Sequence, residues 1–149
     1  MLKINNSTPV LVLKSNDHWG LGILRSLGRL RIPVYTVSSD PQAPALFSRY
    51  CRGKFLCELG NYTEKSVRGL LNIGCEIGRK SILVPTTDHS ASFVADYADA
   101  LKERFIFPNQ SANLVRSLCS KKDMYHLAKK FGVPTPEAVF PQSKEDVLN

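Results

Sequence analysis

Short apolar runs alternate with longer segments in which apolar residues recur every three or four positions along roughly the first 110 residues. The runs "PVLVL" (9–13) and "SILVP" (81–85) are apolar almost throughout, as expected for strands buried in a parallel sheet. The segment "GLGILRSLGRLR" (20–31) places its leucines on one face of a helix. This alternation predicts an α/β fold, a Rossmann-like open parallel sheet flanked by helices. The predicted strands are 9–13, 33–40, 54–59, 81–85 and 105–108. A helix capped by Thr63 is predicted to run to about Gly78, and another to open at Asp88.

The pattern changes after residue 110. Two helices are predicted at 111–118 and 121–131, and a short strand is predicted at 137–140. A last helix begins in "SKEDVLN" (143–149). We assign residues 1–119 to the Rossmann-like domain, and residues 120–149 to a junction helix and the beginning of a further domain. Because the last segment stops within an element, we expect these residues to be part of a longer protein.

The composition narrows the class of protein. Hydrophobic residues make up 43% of the chain and charged residues 22%, which predicts a packed core. The net charge is +7, but the lysines and arginines are spread along the chain. We therefore expect a domain that handles small anions or meets an acidic partner, rather than one that binds nucleic acid. The sequence has no membrane-length apolar stretch and no secretory signal, which favours a cytoplasmic protein without a membrane partner.

No reactive centre can be recognised in the sequence. The cysteines lack CxxC spacing and do not cluster with the histidines, which argues against zinc and against a disulfide scaffold. We expect reduced, partly buried thiols at Cys51, Cys57, Cys75 and Cys119. No Ser-His-Asp or Cys-His arrangement and no acid–base pair is evident, so we predict no catalytic residue and no metal ligand in this chain.

The first candidate binding loop is "KSNDHWGLG" (14–22), because ligands of open parallel sheets bind beyond the carboxyl ends of the strands. We expect Gly20 or Gly22 to adopt a conformation that other residues resist, or to allow close approach of a ligand. The dinucleotide motif GxGxxG is not met, since Arg25 replaces its third glycine. Arg25 is either a partner for a carboxylate or phosphate, or a surface residue. The neighbouring Trp19 is expected to pack, with a ligand contact as the alternative.

The second candidate loop is "PTTDHS" (85–90), in which two hydroxyls and a carboxylate follow a strand. Thr86, Thr87 and Asp88 are candidate substrate contacts. The structural alternative is that Thr87 or Asp88 caps the next helix, which accounts for one of the three.

Two residues near the second and third strands have a functional and a structural interpretation. Asp40 stands where a ribose-binding acid would lie, but Asp40-Pro41 is also an ordinary turn signal, which we favour. Arg49 is a candidate for the same cleft as the two loops; the alternative is a solvated helix end.

Two lysines occupy the first turn of the predicted helix 121–131, where unpaired amides already carry partial positive charge. Ser120 and Asp123 resemble a capping box that offsets part of this charge. For Lys122 we expect simple solvation. For Lys121 we prefer an anion shared between its ammonium group and the helix-start amides.

The segment "SKKDMYHLAKKFGVPTP" (120–136) resembles the junction of ATP-grasp ligases between the amino-terminal, Rossmann-like pre-ATP-grasp domain and the nucleotide-binding domain. That junction has a lysine or arginine at a helix start, about 13 residues before the proline of an x-G-[VIL]-P-x-P exit. Lys121 lies at this distance from Pro134. Upstream, "VLVL…GLGILRSLGRLRIPVYTV…FSRY" and "ILVPTTDHSASFVADYADAL" look like the amino domain of the carboxylate–amine ligase branch. The resemblance covers nearly the whole chain.

The resemblance implies an ATP-dependent enzyme that activates a carboxylate as an acyl phosphate and joins it to an amine. It implies that Lys121 contacts ATP, and that the first loop, the second loop, Arg25 and Arg49 face the acceptor substrate. ATP and Mg would act in the full-length protein, whose ATP-grasp domain lies downstream; a homo-oligomer is compatible with the sequence. Residues 1–149 alone are expected to be inactive and to bind no cofactor tightly. The alternatives are a stand-alone Rossmann-like nucleotide-binding module and a protein-interaction domain without catalysis.

Overall fold

The computed structural model describes residues 6–13, 16–57, 59 and 63–148, with side chains as far as residue 146. The chain divides into two compact units, Met1–Gln110 and Ser111–Asn149. Each unit is described by itself below. The expected division after residue 119 stays a prediction.

The first unit is built on five parallel strands in the order β3-β2-β1-β4-β5. This sheet confirms the predicted Rossmann-like α/β class. The strands are β1 Val10–Leu13, β2 Val34–Ser38, β3 Cys51–Leu56, β4 Ser81–Pro85 and β5 Phe105–Ile106. The third strand begins three residues before its predicted start, because Cys51 already pairs with Val34.

Helices flank this sheet: α1 His18–Arg29, α2 Glu64–Ile77, α3 Asp88–Asp96 and α4 Ala98–Leu101, with a 3-10 helix at Pro44–Phe47. The helix predicted from Asp88 is interrupted at Tyr97, which separates α3 from α4. The ends predicted for α2 are confirmed, since Thr63 forms a capping box with Ser66 and Gly78 takes a left-handed conformation after the last turn. In the described part of the chain, no helix has the length and apolar character needed to cross a membrane.

The first strand is buried along its whole length and divides the core into two layers. Leu11 and Leu13 belong to a cluster with apolar residues of α2, α3 and α4. Val10 and Val12 belong to a second cluster that includes Leu24 of α1. Successive strand residues point to opposite faces, so a continuous apolar run is what a strand covered on both sides requires.

The second unit contains α5 Ala112–Cys119, α6 Lys121–Lys130 and α7 Glu145–Leu148. The three predicted helices are confirmed, and Ser111 and Ser120 cap the first two with their side chains. The predicted strand at 137–140 is wrong, because these residues form no ladder. The "EAVF" pattern marks an extended segment, but a strand also needs a partner for its backbone groups.

Candidate functional site

The order of the strands reverses between β1 and β4, which are neighbours although β2 and β3 lie between them in sequence. In open α/β sheets a crevice forms at such a switch point, beyond the carboxyl ends of the two strands. The segments that leave β1 and β4 there are the two predicted binding loops. We call the described part of this region, residues 16–17, 38–40 and 86–88, the switch-point cluster. Residues 14 and 15 of the first loop lie outside the described residues.

The second loop is tied to the sheet by its threonines. The Thr86 hydroxyl donates a hydrogen bond of 2.9 Å to the carbonyl oxygen of Leu13, so it links the ends of β4 and β1. Thr87 is the N-cap of α3 and accepts a bond of 3.2 Å from the Ser90 amide, which confirms the capping interpretation. Asp88 is the exposed first residue of the helix. All three predicted residues therefore follow the carboxyl end of β4, and the bonds with Leu13 and Ser90 give Thr86 and Thr87 structural roles there.

The first loop is tied to the end of β2 by residues that the sequence reading did not select. The Asn16 amide donates to the Ser39 hydroxyl at 3.0 Å, and the Ser38 hydroxyl donates to the Asn16 carbonyl oxygen at 2.8 Å. The turn interpretation of Asp40 is confirmed, because its carboxylate accepts a hydrogen bond of 2.8 Å from the backbone N–H of Gln42. Ser38 is the last residue of β2 and Asn16 follows the end of β1 by three residues, so their polar side chains near the carboxyl ends of buried strands were the available signal.

Both glycines of the first loop lie inside a helix, as the predicted helical segment 20–31 placed them, so the loop is shorter than the expected range 14–22. The α1 helix begins at His18, so Gly20 is buried in its first turn and Gly22 is exposed in the next. The expectation of an unusual backbone at these glycines is wrong, since the positive φ angles among the described glycines are those of Gly78 and Gly132. The helix begins two residues before the predicted segment 20–31, because the spacing of the leucines does not show where a polar first turn begins.

The start of α1 remains the most suitable place for an anion at the switch point. Its first amides have no intrahelical acceptor, and its N-cap Asp17 makes no side-chain capping bond. Trp19 is 62% exposed, and the centre of its ring lies 4.3 Å from that of His18, so the packing expected of it is limited to this neighbour. Arg25 is exposed on the same helix, about 10 Å along its axis from His18. The crevice thus offers hydroxyls, an amide side chain and backbone amides, groups that bind and orient polar molecules.

Arg49 lies at the opposite edge of the sheet. It precedes β3, whose Cys51 pairs with Val34 at the beginning of β2. All strands are parallel, so the beginnings of β2 and β3 and the carboxyl ends of β1 and β4 lie at different edges. The expectation that Arg49 shares the cleft of the two loops is wrong. Strand direction decides the edge, and this depends on the crossovers rather than on the sequence around Arg49.

The two junction lysines are both exposed in the first turn of α6, within the second unit. The Ser120 hydroxyl accepts a bond of 3.2 Å from the Asp123 amide, as predicted from the capping pattern. A groove of about 590 Å³ lies between α6 and residues 133–140. Lys121 lines this groove and Lys122 does not, both lysines being among the described residues. The rest of this groove is largely apolar, with Met124 and Phe140 among its residues.

The thiols and carboxylates of the described chain do not form a reactive or metal-binding group. Burial raises the pKa of the Cys51 and Cys57 thiols, which favours the protonated, unreactive form. None of the four cysteines, all within the described residues, forms a disulfide; Cys75 is exposed and the others are half-buried. Within the part of the chain that the structure describes, no three His, Cys, Asp or Glu residues come together as metal ligands would.

Comparison with known proteins agrees on the fold. No protein-family model matches the sequence, and no curated protein matches it. Thirteen chains of solved structures match. One is N5-carboxyaminoimidazole ribonucleotide synthetase from Thermotoga maritima, with a TM-score of 0.61 and 15% sequence identity. The match covers 95% of this chain and 35% of the synthetase, so the chain spans about a third of that protein's length. A likeness at this identity establishes a shared fold.

Proposed function

We propose that residues 1–149 form the amino-terminal, substrate-side domain of an ATP-grasp ligase that joins a carboxylate to an amine. The observation that carries the proposal is the extent of the structural match. Nearly the whole chain superposes on about a third of a synthetase, as one domain of a multidomain ligase would. That synthetase is itself an ATP-grasp enzyme.

In the proposed reaction the carboxylate attacks the γ-phosphate of ATP, which gives an acyl phosphate and ADP. The amine then attacks the acyl carbon, forms the amide and releases phosphate. The domain described here would hold the acceptor substrate at the switch-point cluster, where α1 begins and where Thr87 and Asp88 begin α3. Mg and the groups that activate the carboxylate would come from an ATP-grasp domain outside these residues.

The alternative of a stand-alone Rossmann-like nucleotide-binding module receives less support from the structure. Its ribose-binding acid would be Asp40, whose carboxylate already accepts a hydrogen bond from the Gln42 amide within a turn. Its third glycine is replaced by Arg25. No comparable observation favours an interaction domain.

We propose that Lys121 contacts a phosphate of ATP in the complete enzyme. Its ammonium group and the α6 amides would share the anion, which turns an unfavourable charge at the helix start into a binding contribution. Lys122 is the matched control, since it is exposed in the same turn but does not line the groove, both residues being described.

The proposal is tested in the full-length protein that contains these residues. We expect ADP and phosphate to form in equal amounts, and only when Mg, ATP, a carboxylate and an amine are all present. Lys121→Ala should weaken ATP binding by about tenfold, the effect of losing one charge-assisted hydrogen bond, with folding unchanged. Lys122→Ala should bind ATP as the wild type does.

Two results would contradict the proposal. Magnesium-dependent ATP turnover by purified residues 1–149 would show that the chain does not depend on a separate ATP-grasp domain. Equal ATP binding by wild type and both lysine variants would show that Lys121 is a solvated surface residue without a role in ATP binding.

A further inference from the structure

A groove of about 480 Å³ lies at the amino edge of the sheet, on the side opposite the switch-point cluster. It is lined by Arg31, Arg49, Tyr50 and Arg52, together with Gly28 and the Ile32–Pro33 turn. One wall comes from the end of α1 and the turn into β2, and the other from the beginning of β3. The pairing of Val34 with Cys51 brings these two segments side by side. We call this region the arginine groove.

One arginine of this groove, Arg49, contacts the tyrosine beside it. The Arg49 guanidinium lies 4.8 Å from the centre of the Tyr50 ring and donates a hydrogen bond of 2.7 Å to its hydroxyl oxygen. This hydrogen bond, with the charges of Arg49 and Arg29, holds the pKa of the Tyr50 phenol below its ordinary value. The electrostatic environment of the groove therefore favours an anion.

Among the described residues, no carboxylate forms an ion pair with these arginines. The ion pairs found within the described residues join Lys102 to Asp99, Arg104 to Glu103 and Lys129 to Glu137, and none includes an arginine of this groove. Like charges that converge without a counter-charge are unfavourable unless an anion joins them.

The backbone around the groove is specialised for its side chains. Arg31 has a φ of 61°, the left-handed conformation that glycine adopts most readily, and is alone in this among the described non-glycine residues. At Gly28 an added Cβ would lie 2.5 Å from the Tyr50 Cβ, so only glycine lets the tyrosine lie against α1. Arg31 thus occupies a position whose backbone conformation favours glycine. Gly28 occupies a helix position where alanine has the higher helix propensity.

A purely structural account explains the positive charge near the end of α1. Arg29 stands in the last turn of α1 and Arg31 follows two residues later, where positive charge interacts favourably with the helix dipole. Arg49 and Arg52 come from the other wall, so the end of α1 does not account for three guanidinium groups that line one groove.

We propose that the arginine groove is a second ligand site, which binds the phosphate group of a small phosphorylated molecule. Guanidinium groups bind phosphate oxygens in pairs of parallel hydrogen bonds, and three of them line the groove from two directions. The volume lies in the range of small-molecule sites. The inference does not depend on the ligase function, because the site lies at the other edge of the sheet.

The test is an NMR titration of residues 1–149 in a phosphate-free buffer. The probes are inorganic phosphate, ribose 5-phosphate and AMP, with ribose as the uncharged control. We expect resonances of Tyr50 and Arg31 to shift with each phosphate-bearing probe and not with ribose. The tightest of the three phosphate probes distinguishes a sugar phosphate from a nucleotide or free phosphate. Bound phosphate should also raise the pKa of the Tyr50 phenol, because it places negative charge beside it.

Three variants make the test decisive. Arg31→Gly removes a guanidinium and relieves the left-handed backbone, so it should fold at least as stably as the wild type and bind phosphate at least about tenfold more weakly. Arg49→Gln with Arg52→Gln should abolish binding. Arg68→Gln, an exposed arginine of α2, should leave it unchanged.

The proposal is overturned if no phosphate probe shifts these resonances at millimolar concentration, or if Arg31→Gly binds as the wild type does. Binding of single-stranded RNA without any response to the small phosphates would also overturn it, since the groove would then belong to a nucleic-acid surface.

Discussion

Two glycines of α1 have the same residue type and different surroundings. An added Cβ at Gly22 would meet nothing within 4 Å, whereas one at Gly28 would lie 2.5 Å from the Tyr50 Cβ. Gly22 therefore only lowers helix propensity, while Gly28 allows the close approach of Tyr50 to the helix. The sequence drew attention to Gly22, and the tertiary contact lies at Gly28.

We predict that Gly22→Ala stabilises the protein by about 1 kcal/mol, because alanine restricts the unfolded chain and favours the helix. Gly28→Ala should destabilise it by about 1–3 kcal/mol, because the new methyl group overlaps the Tyr50 side chain. Urea unfolding followed by circular dichroism measures both changes. Equal stabilisation by the two substitutions would show that Tyr50 moves away without cost.

The segment that follows α6 shows what replaces the expected strand at 137–140. Glu137 accepts a hydrogen bond of 2.9 Å from the Tyr125 hydroxyl and forms an ion pair with Lys129. The Phe140 ring lies 5.3 Å from the Tyr125 ring, edge to face. Side chains of α6 therefore hold a segment that has no backbone ladder.

We predict that this attachment is lost in acid. Hydrogen bonds from Lys129 and then from Tyr125 lower the pKa of Glu137 below its unfolded value. A carboxyl group whose pKa is lowered by folding stabilises the folded form at pH values above its unfolded pKa of about 4.3. This contribution disappears as the pH falls through the pKa of the folded form. The Phe140 ring resonances should therefore change towards their unfolded values below about pH 4.

The matched variants separate this carboxylate from the others. Glu137→Gln should show the acid-like Phe140 spectrum at neutral pH, and Glu76→Gln, an exposed residue of α2, should keep the wild-type profile. An unchanged Phe140 spectrum in Glu137→Gln would mean that apolar contacts alone hold the segment.

At the scale of the elements, the local signals in the sequence predicted most of the fold. The predicted helix at 111–118 is observed at Ala112–Cys119, and the one at 121–131 ends one residue earlier at Lys130. Thr63 caps α2 as predicted, and Thr87 is the one of the two candidates, Thr87 and Asp88, that caps α3. These features depend on residues a few positions apart. A strand at 137–140 would need a distant partner for its backbone groups, and the residues of the segment do not specify one.

The chain divides after Gln110, where the hydrophobic pattern of the sequence changes, and not after residue 119, where we placed the domain boundary. Both core clusters of the sheet consist of residues up to Phe107, and α5 is grouped with α6 in the second unit. The predicted boundary at 119 instead keeps α5 with the sheet. The two boundaries lead to different stabilities for truncated chains.

We predict that residues 1–110 fold cooperatively, because the complete sheet and both apolar clusters lie within them. Residues 1–119 should have the same free energy of unfolding within about 0.5 kcal/mol, as expected if α5 adds no core contact. Urea unfolding of the two fragments decides between the boundaries. A clearly more stable 1–119 fragment would support the boundary after residue 119.

The sequence by itself determined the order and type of the elements, the helix caps and the polar residues that end the strands. These follow from periodicity and from side chains that bond to nearby backbone groups, so a short window contains the information. The tertiary structure decided which of these residues meet. Parallel strand direction placed Thr86 at one edge and Arg49 at the other, and a crossover brought Arg31 beside Tyr50. Such contacts depend on how distant segments pack, and no local pattern records them.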